Sequence, residues 1–233
     1  IYAFKSTSDF AHIIKKYTSL YNSEKAKKSY NFNILEEQQG HIVENSHSSI
    51  LLKLLAYKNQ YGYVFLQDFC QRFVSPDLKI PESCDGICFD KERFYQKDAR
   101  DRQNSRIDCL IYKKNDFAII IENKINRAGN QDEQLKRYIV SVLDDKEIFD
   151  NTHEDNKKKI WVVFLTRDGV EMPDKGSKEY LLEKFYCKWE NDDLSGSNYS
   201  PINYAQHLLP WIKESVMPIV PYKETNLYYG LCQ

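Results

Sequence analysis

Residues 107–112 and 117–125 form two strongly apolar runs on either side of the turn Lys113-Lys114-Asn115-Asp116. Short runs rich in isoleucine, joined by a polar turn, predict an antiparallel hairpin buried in a core. Charge interrupts both runs at one end, in Arg106-Ile107-Asp108-Cys109-Leu110-Ile111 and in Ala118-Ile119-Ile120-Ile121-Glu122-Asn123-Lys124-Ile125. Successive side chains on a strand point to opposite faces, so Glu122 and Lys124 share one face while Ile121 and Asn123 share the other. The hairpin register can bring Asp108 beside Glu122 if the strands are bent or bulged there.

The rest of the chain supplies layers for this hairpin. Phe10, Ile13, Ile14, Tyr17 and Leu20 recur at helical spacing behind Ser8-Asp9, which predicts a helix over 8–21, followed by a solvated linker at 25–28. Ile50, Leu51, Leu54 and Leu55, reached through Glu44-Asn45-Ser46-His47-Ser48, predict a second helix ending near Tyr57-Lys58-Asn59. Residues 63–73 have helical spacing, and 76–85 is a proline-containing loop. A short strand is expected at 87–89 or at 93–95. Leu135, Tyr138, Ile139, Val142 and Leu143 predict a further helix, and 160–166 is a near-continuous apolar run typical of a strand buried on both faces. Asp168-Gly169 reads as a turn, 192–200 as a polar loop, and 204–215 as a final helix through Leu208, Leu209, Trp211 and Ile212. This alternation predicts an α/β fold, a central mixed β-sheet flanked by helices. At 233 residues the expectation is a single domain with an N-terminal helical extension over about 1–30.

Composition removes several function classes. Hydrophobic residues make up 42% and charged residues 29%, which is globular, and no apolar run approaches the ~18 residues of a membrane span. The chain is expected to be soluble and cytoplasmic, without a membrane partner. Its opening Ile1-Tyr2-Ala3-Phe4-Lys5-Ser6 has neither a secretory signal nor an initiator Met, so some natural N-terminus is expected to precede it. Six scattered cysteines read as reduced thiols, and Cys84 with Cys88 makes a single pair where a structural zinc site needs two. The sequence has no G-x-x-x-x-G-K-[ST], G-x-G-x-x-G or G-x-S-x-G, so no nucleotide cofactor is expected. Lys+Arg 33 against Asp+Glu 34 gives a net charge of -1, so any nucleic-acid surface must be a local patch.

Charges inside an apolar strand need an explanation. Glu122 and Lys124 could face solvent at a strand end while Asp108 pairs with Lys124 or Arg106. Both strands are apolar on either side, however, and burying several charges is costly unless they pair or hold a metal. The cluster asks for a cation.

Asp108 followed, after 13 residues, by Glu122-Asn123-Lys124 resembles the signature of the PD-(D/E)XK nuclease superfamily. Its formal proline is absent, Ile107 standing before Asp108. Glu44-Asn45-Ser46-His47-Ser48 resembles the E-x-x-H-S helix of one bacterial branch. Gln134-Leu135-Lys136-Arg137-Tyr138 resembles the Q-x-x-x-Y of RecB-like and lambda-exonuclease-like members, and Phe164-Leu165-Thr166-Arg167-Asp168-Gly169 resembles the strand and turn that follow. The likeness runs from about 32 to 213. It lacks the clustered cysteines of those RecB-like members that carry an iron–sulfur cluster.

The resemblance implies a restriction-endonuclease-like core and a nuclease that hydrolyses nucleic acid, expected to be DNA, with Mg²⁺ as cofactor and Mn²⁺ able to substitute. Asp108, Glu122 and the backbone carbonyl of Asn123 would offer hard oxygen ligands, with Lys124 orienting or deprotonating the attacking water. Glu44 is the candidate third carboxylate, with a surface or capping role as its alternative. His47, one turn from Glu44, is expected to support the site or bond within the structure rather than act directly. Gln134 can point at the site or at a phosphate, and Tyr138 beside it is equally at home in the core. Arg127, Lys136 and Arg137 border the region as candidate phosphate contacts, whereas Lys157-Lys158-Lys159 reads as a solvated turn. Two other readings remain: a nuclease-fold module that binds nucleic acid or a protein partner without cutting, and a carboxylate site that serves structure alone.

Overall fold

A computed structural model describes residues 44–81, 85–96, 104–125, 131–185, 187–190 and 193–219. The helix expected over 8–21 and the linker at 25–28 lie outside these residues. The elements in chain order are α1 (Glu44–Leu55), α2 (Val64–Phe69, continued by a wider turn, Cys70–Val74), β1 (Ile87–Tyr95), β2 (Ser105–Lys113), β3 (Phe117–Lys124), α3 (Gln134–Asp144), β4 (Ile160–Thr166), α4 (Lys175–Lys184), β5 (Cys187–Glu190), β6 (Asp193–Gly196), β7 (Tyr199–Asn203) and α5, a helical stretch over 204–216.

Every residue of β3 is buried, which a strand achieves only with neighbours at both edges and layers on both faces. The edges are closed by β2, antiparallel, and by β4, parallel. The whole sheet has seven strands in the order β1-β2-β3-β4-β7-β6-β5, with β4 and β7 also parallel and the outer pairs antiparallel. The expected mixed sheet flanked by helices is therefore present. Side-chain alternation divides the core: Phe117, Ile119 and Ile121 pack with α1 and α2, while Ala118 and Ile120 pack under α3. Each face buries several leucines, isoleucines or phenylalanines, at ~1.5–3 kcal/mol per large side chain.

Some elements depart from the sequence expectations. The alternatives at 87–89 and 93–95 are one strand, β1, kinked where Glu92 takes a φ of 52°. The segment expected as a polar loop, 192–200, instead contributes β6 and the start of β7, joined at 197–198. A hairpin of strands only four and five residues long is too short to show a clear alternation, so it reads as polar although it pairs. In the turn ending at Lys159, Lys157 is not solvated but buried and bound to Glu154 at 2.7 Å. The edge strand β1 is pinned by Arg93, whose guanidinium meets Asp90 at 2.6 Å, Asp145 at 2.7 Å and Glu147 at 2.6 Å. Cys70, Cys88, Cys109 and Cys187 are free thiols. No helix among the described residues is long and apolar enough to cross a membrane.

Candidate active site

The ladder between β2 and β3 runs from Lys113↔Phe117 to Cys109↔Ile121 and stops there. Continued, the register would set Ile107 opposite Asn123. Instead Oδ2 of Asp108 takes the Asn123 N–H at 3.0 Å, so a side chain replaces the backbone partner. Ile107 and Leu110 both pack under α3, although strict alternation sends residues three apart to opposite faces. The strand thus turns over at Asp108, the bend that the motif requires, and the half-buried carboxylate comes to rest on the Glu122–Asn123 peptide.

Glu122 and Lys124 lie on the α3 face, only 2% and 5% exposed. The Lys124 ammonium sits 2.9 Å from Oε1 of Glu122, and the same oxygen accepts from Nε2 of Gln134 at 2.8 Å. Nε2 also donates to the Tyr138 hydroxyl at 2.7 Å, which in turn donates to the Arg106 carbonyl at 2.6 Å. Burial pushes the Tyr138 hydroxyl well above its usual range, and the nearby charges of Glu122 and Asp108 push it the same way. Gln134 and Tyr138, four apart on α3, thus share one helix face, Gln134 bonding Glu122 and Tyr138 bonding Gln134.

The opposite face of β3 is tied to α1. Asn123 donates from Nδ2 to Oγ of Ser48 at 3.1 Å, and the Cys109 thiol donates to the Ser48 carbonyl at 3.3 Å. Burial pushes that thiol far above its ordinary range. His47 packs edge-on against Tyr204, with ring centroids 5.7 Å apart, and burial lowers its pKa. Glu44 opens α1, but its side chain lies outside the described residues, as does the whole of Arg127.

Lys136 pairs with Glu133 at 2.7 Å. Arg137 is buried and donates to the Asp132 carbonyl and, at 2.8 Å, to Oε1 of Gln131, holding the segment before α3. Both line a cleft of about 1100 Å³ between β1 and α3, which none of Asp108, Glu122 and Lys124 lines. Its cations, Lys91, Arg93, Lys136, Arg137 and Lys146, are matched by as many carboxylates. A basic groove for a polyanion is thus not what this cleft offers.

Ser48 and Asp174 escaped the site reading. Asp174 accepts backbone N–H groups at the start of α3 and caps α4. Its only sequence signal is an aspartate directly before a helix. For a cation, the described residues provide two carboxylates at the strand bend and no group of three or more His, Cys, Asp or Glu side chains. Two hard carboxylates suit Mg²⁺, which keeps several of its waters, better than the closed nitrogen or sulfur sets of structural zinc.

No curated protein and no solved structure matched the chain. A family model of the PD-(D/E)XK nuclease superfamily, whose members generally hydrolyse phosphodiester bonds, matches residues 31–227. That span holds the bent β2, the Glu122–Lys124 pair on β3 and the Gln134 helix within one mixed sheet, so the chain belongs to the PD-(D/E)XK nuclease superfamily and has its α/β restriction-endonuclease-like fold.

Proposed function

We propose that this chain is a Mg²⁺-dependent nuclease hydrolysing phosphodiester bonds in DNA. One observation carries the reading: a buried Glu122–Lys124 pair lies beside the Asp108 carboxylate where the β2–β3 ladder ends. Buried charge at the end of a core strand is expensive for structure and useful for chemistry. Asp108, Glu122 and the Asn123 carbonyl would hold the metal, with Glu44 as a further carboxylate. When bound, Mg²⁺ acidifies a water and neutralises charge on the phosphodiester.

The remaining work falls to the chain itself. Lys124 stands within reach of any water beside Glu122 and would orient it or help take its proton. Gln134 holds the Glu122 carboxylate in one orientation, and Tyr138 holds Gln134. Ser48 keeps Asn123, and hence the strand between the two functional side chains, fixed to α1. Arg127, Lys136 and Arg137 remain the candidate phosphate contacts, the last two lining the cleft.

The test incubates wild type with plasmid, linear duplex and single-stranded DNA in Mg²⁺ and in Mn²⁺. Asp108→Ala, Glu122→Ala and Lys124→Ala should each remove most of the cleavage, and a double variant should lose little more, because the three act as one unit. Gln134→Ala should be milder. Wild type that cuts none of these substrates in either metal, yet retards DNA in a gel, would be a binding module instead.

A further inference from the structure

We propose that Asp174 is a positioning residue for this site, fixing Gln134 against Glu122 from the neighbouring helix. The inference rests on the reading of Glu122 as a site carboxylate. The first N–H groups of a helix have no partner within it, and Glu133, directly before α3, supplies no side-chain cap. Further partners come from 40 and 41 residues downstream: Oδ1 of Asp174 takes the Glu133 N–H at 2.9 Å, and Oδ2 takes the Gln134 N–H at 3.2 Å, which also reaches the Gln131 carbonyl at 3.3 Å. Oγ of Ser177 takes the Leu135 N–H at 2.9 Å. The same carboxylate accepts the Ser177 N–H at 2.9 Å and the Ser177 hydroxyl, capping α4 as well.

Two backbone features show how closely the two helices are fitted. Glu133 holds a φ of 50°, a left-handed conformation that a residue with a Cβ keeps only where its surroundings impose it. At Gly176 an added Cβ would come within 2.6 Å of Cγ of Glu133, so the α4 turn must be bare where it touches the residue before α3. Between them, Asp174, Gly176 and Ser177 set the backbone from which one amide reaches both Glu122 and Tyr138.

Asp174→Asn separates positioning from plain capping. Asparagine caps a helix about as well as aspartate, so α4 keeps its start. It accepts at one oxygen only, whereas Asp174 accepts at both, so the Gln134 N–H loses Asp174 and keeps only the Gln131 carbonyl at 3.3 Å. The expected result is a roughly tenfold fall in kcat with KM unchanged, the usual scale for a group that orients a site carboxylate. In ¹⁵N spectra the Gln134 side-chain amide, assigned by its loss in Gln134→Leu, should move toward the position of exposed glutamines. Ser177→Ala should shift it in the same direction. An Asp174→Asn protein with wild-type kcat and an unmoved Gln134 amide would overturn the proposal. If wild type cleaves nothing, the nuclease reading falls and the amide resonance alone decides the role of Asp174.

Discussion

Glu122 shows most directly why the site costs stability and what holds it. It is buried, and Lys124 and Gln134 both bond to it. Lys124→Met removes one partner of a buried pair and leaves the other charge behind, which should cost about 3–5 kcal/mol. Asp108→Asn has the opposite expectation, because the amide oxygen can still take the Asn123 N–H while one negative charge near Glu122 disappears. In EDTA, Asp108→Asn should melt at or above the wild-type temperature and Lys124→Met well below it. A fall for Asp108→Asn as large as that for Lys124→Met would make Asp108 a structural residue. Asp108, Glu122 and Lys124 were legible because charge in an apolar strand is a local anomaly, and Gln134 only because Gln134 to Tyr138 resembles a family motif. Ser48 and Asp174 were not, since a serine in a helix or an aspartate before one is ordinary until its distant partner is known.

Among the elements, legibility followed length and periodicity. The 12 residues of α1, the 11 of α3 and the buried runs of β3 and β4 carry enough repeats to be read. The four residues each of β5 and β6 do not. Nor does sequence reveal that Arg93 joins β1 to the segment after α3, because Asp90, Asp145 and Glu147 meet only in the fold. Lysine presents a single point charge where Arg93 serves three carboxylates, so Arg93→Lys should lose nearly as much as Arg93→Met, about 1–3 kcal/mol. Urea midpoints should fall with m unchanged. The shared cap between α3 and α4 predicts a pH dependence. Burial opposes the Asp174 charge, but hydrogen bonds from Ser177, Glu133 and Gln134 outweigh it and hold the carboxyl below its usual range. A carboxyl depressed on folding contributes stability that is fully present above its unfolded value of ~3.9 and is lost as pH falls through the lower folded value. The stability gap between wild type and Asp174→Asn should therefore be constant above about pH 5 and narrow below about pH 4. A gap that stays constant to pH 2 would mean that those bonds do not depend on the charge.

At the scale of the whole molecule, a net charge of -1 gives no general attraction to a polyanion. Among the described residues the cleft beside α3 is balanced, so it supplies no basic field either. The seven-strand order was also hidden from sequence, because β7 inserts between β4 and β6 through contacts no local pattern encodes. With no net positive charge, affinity for a polyanion rests on local charge, and a divalent cation between Asp108 and Glu122 is one such charge that the proposed function supplies. That cation should be visible without any substrate. The assembled carboxylates exist only in the folded state, so Mg²⁺ should stabilise wild type by mass action, about 2.7 kcal/mol at a hundredfold excess over Kd. For a domain of this size that is a rise in Tm of roughly 5–10 °C. Sodium at matched ionic strength should not reproduce it, Glu122→Gln should lose most of it, and Gln134→Ala should keep part. A wild-type melt that moves with neither Mg²⁺ nor Mn²⁺ would remove the metal from the proposed function, whatever the cleavage assays give.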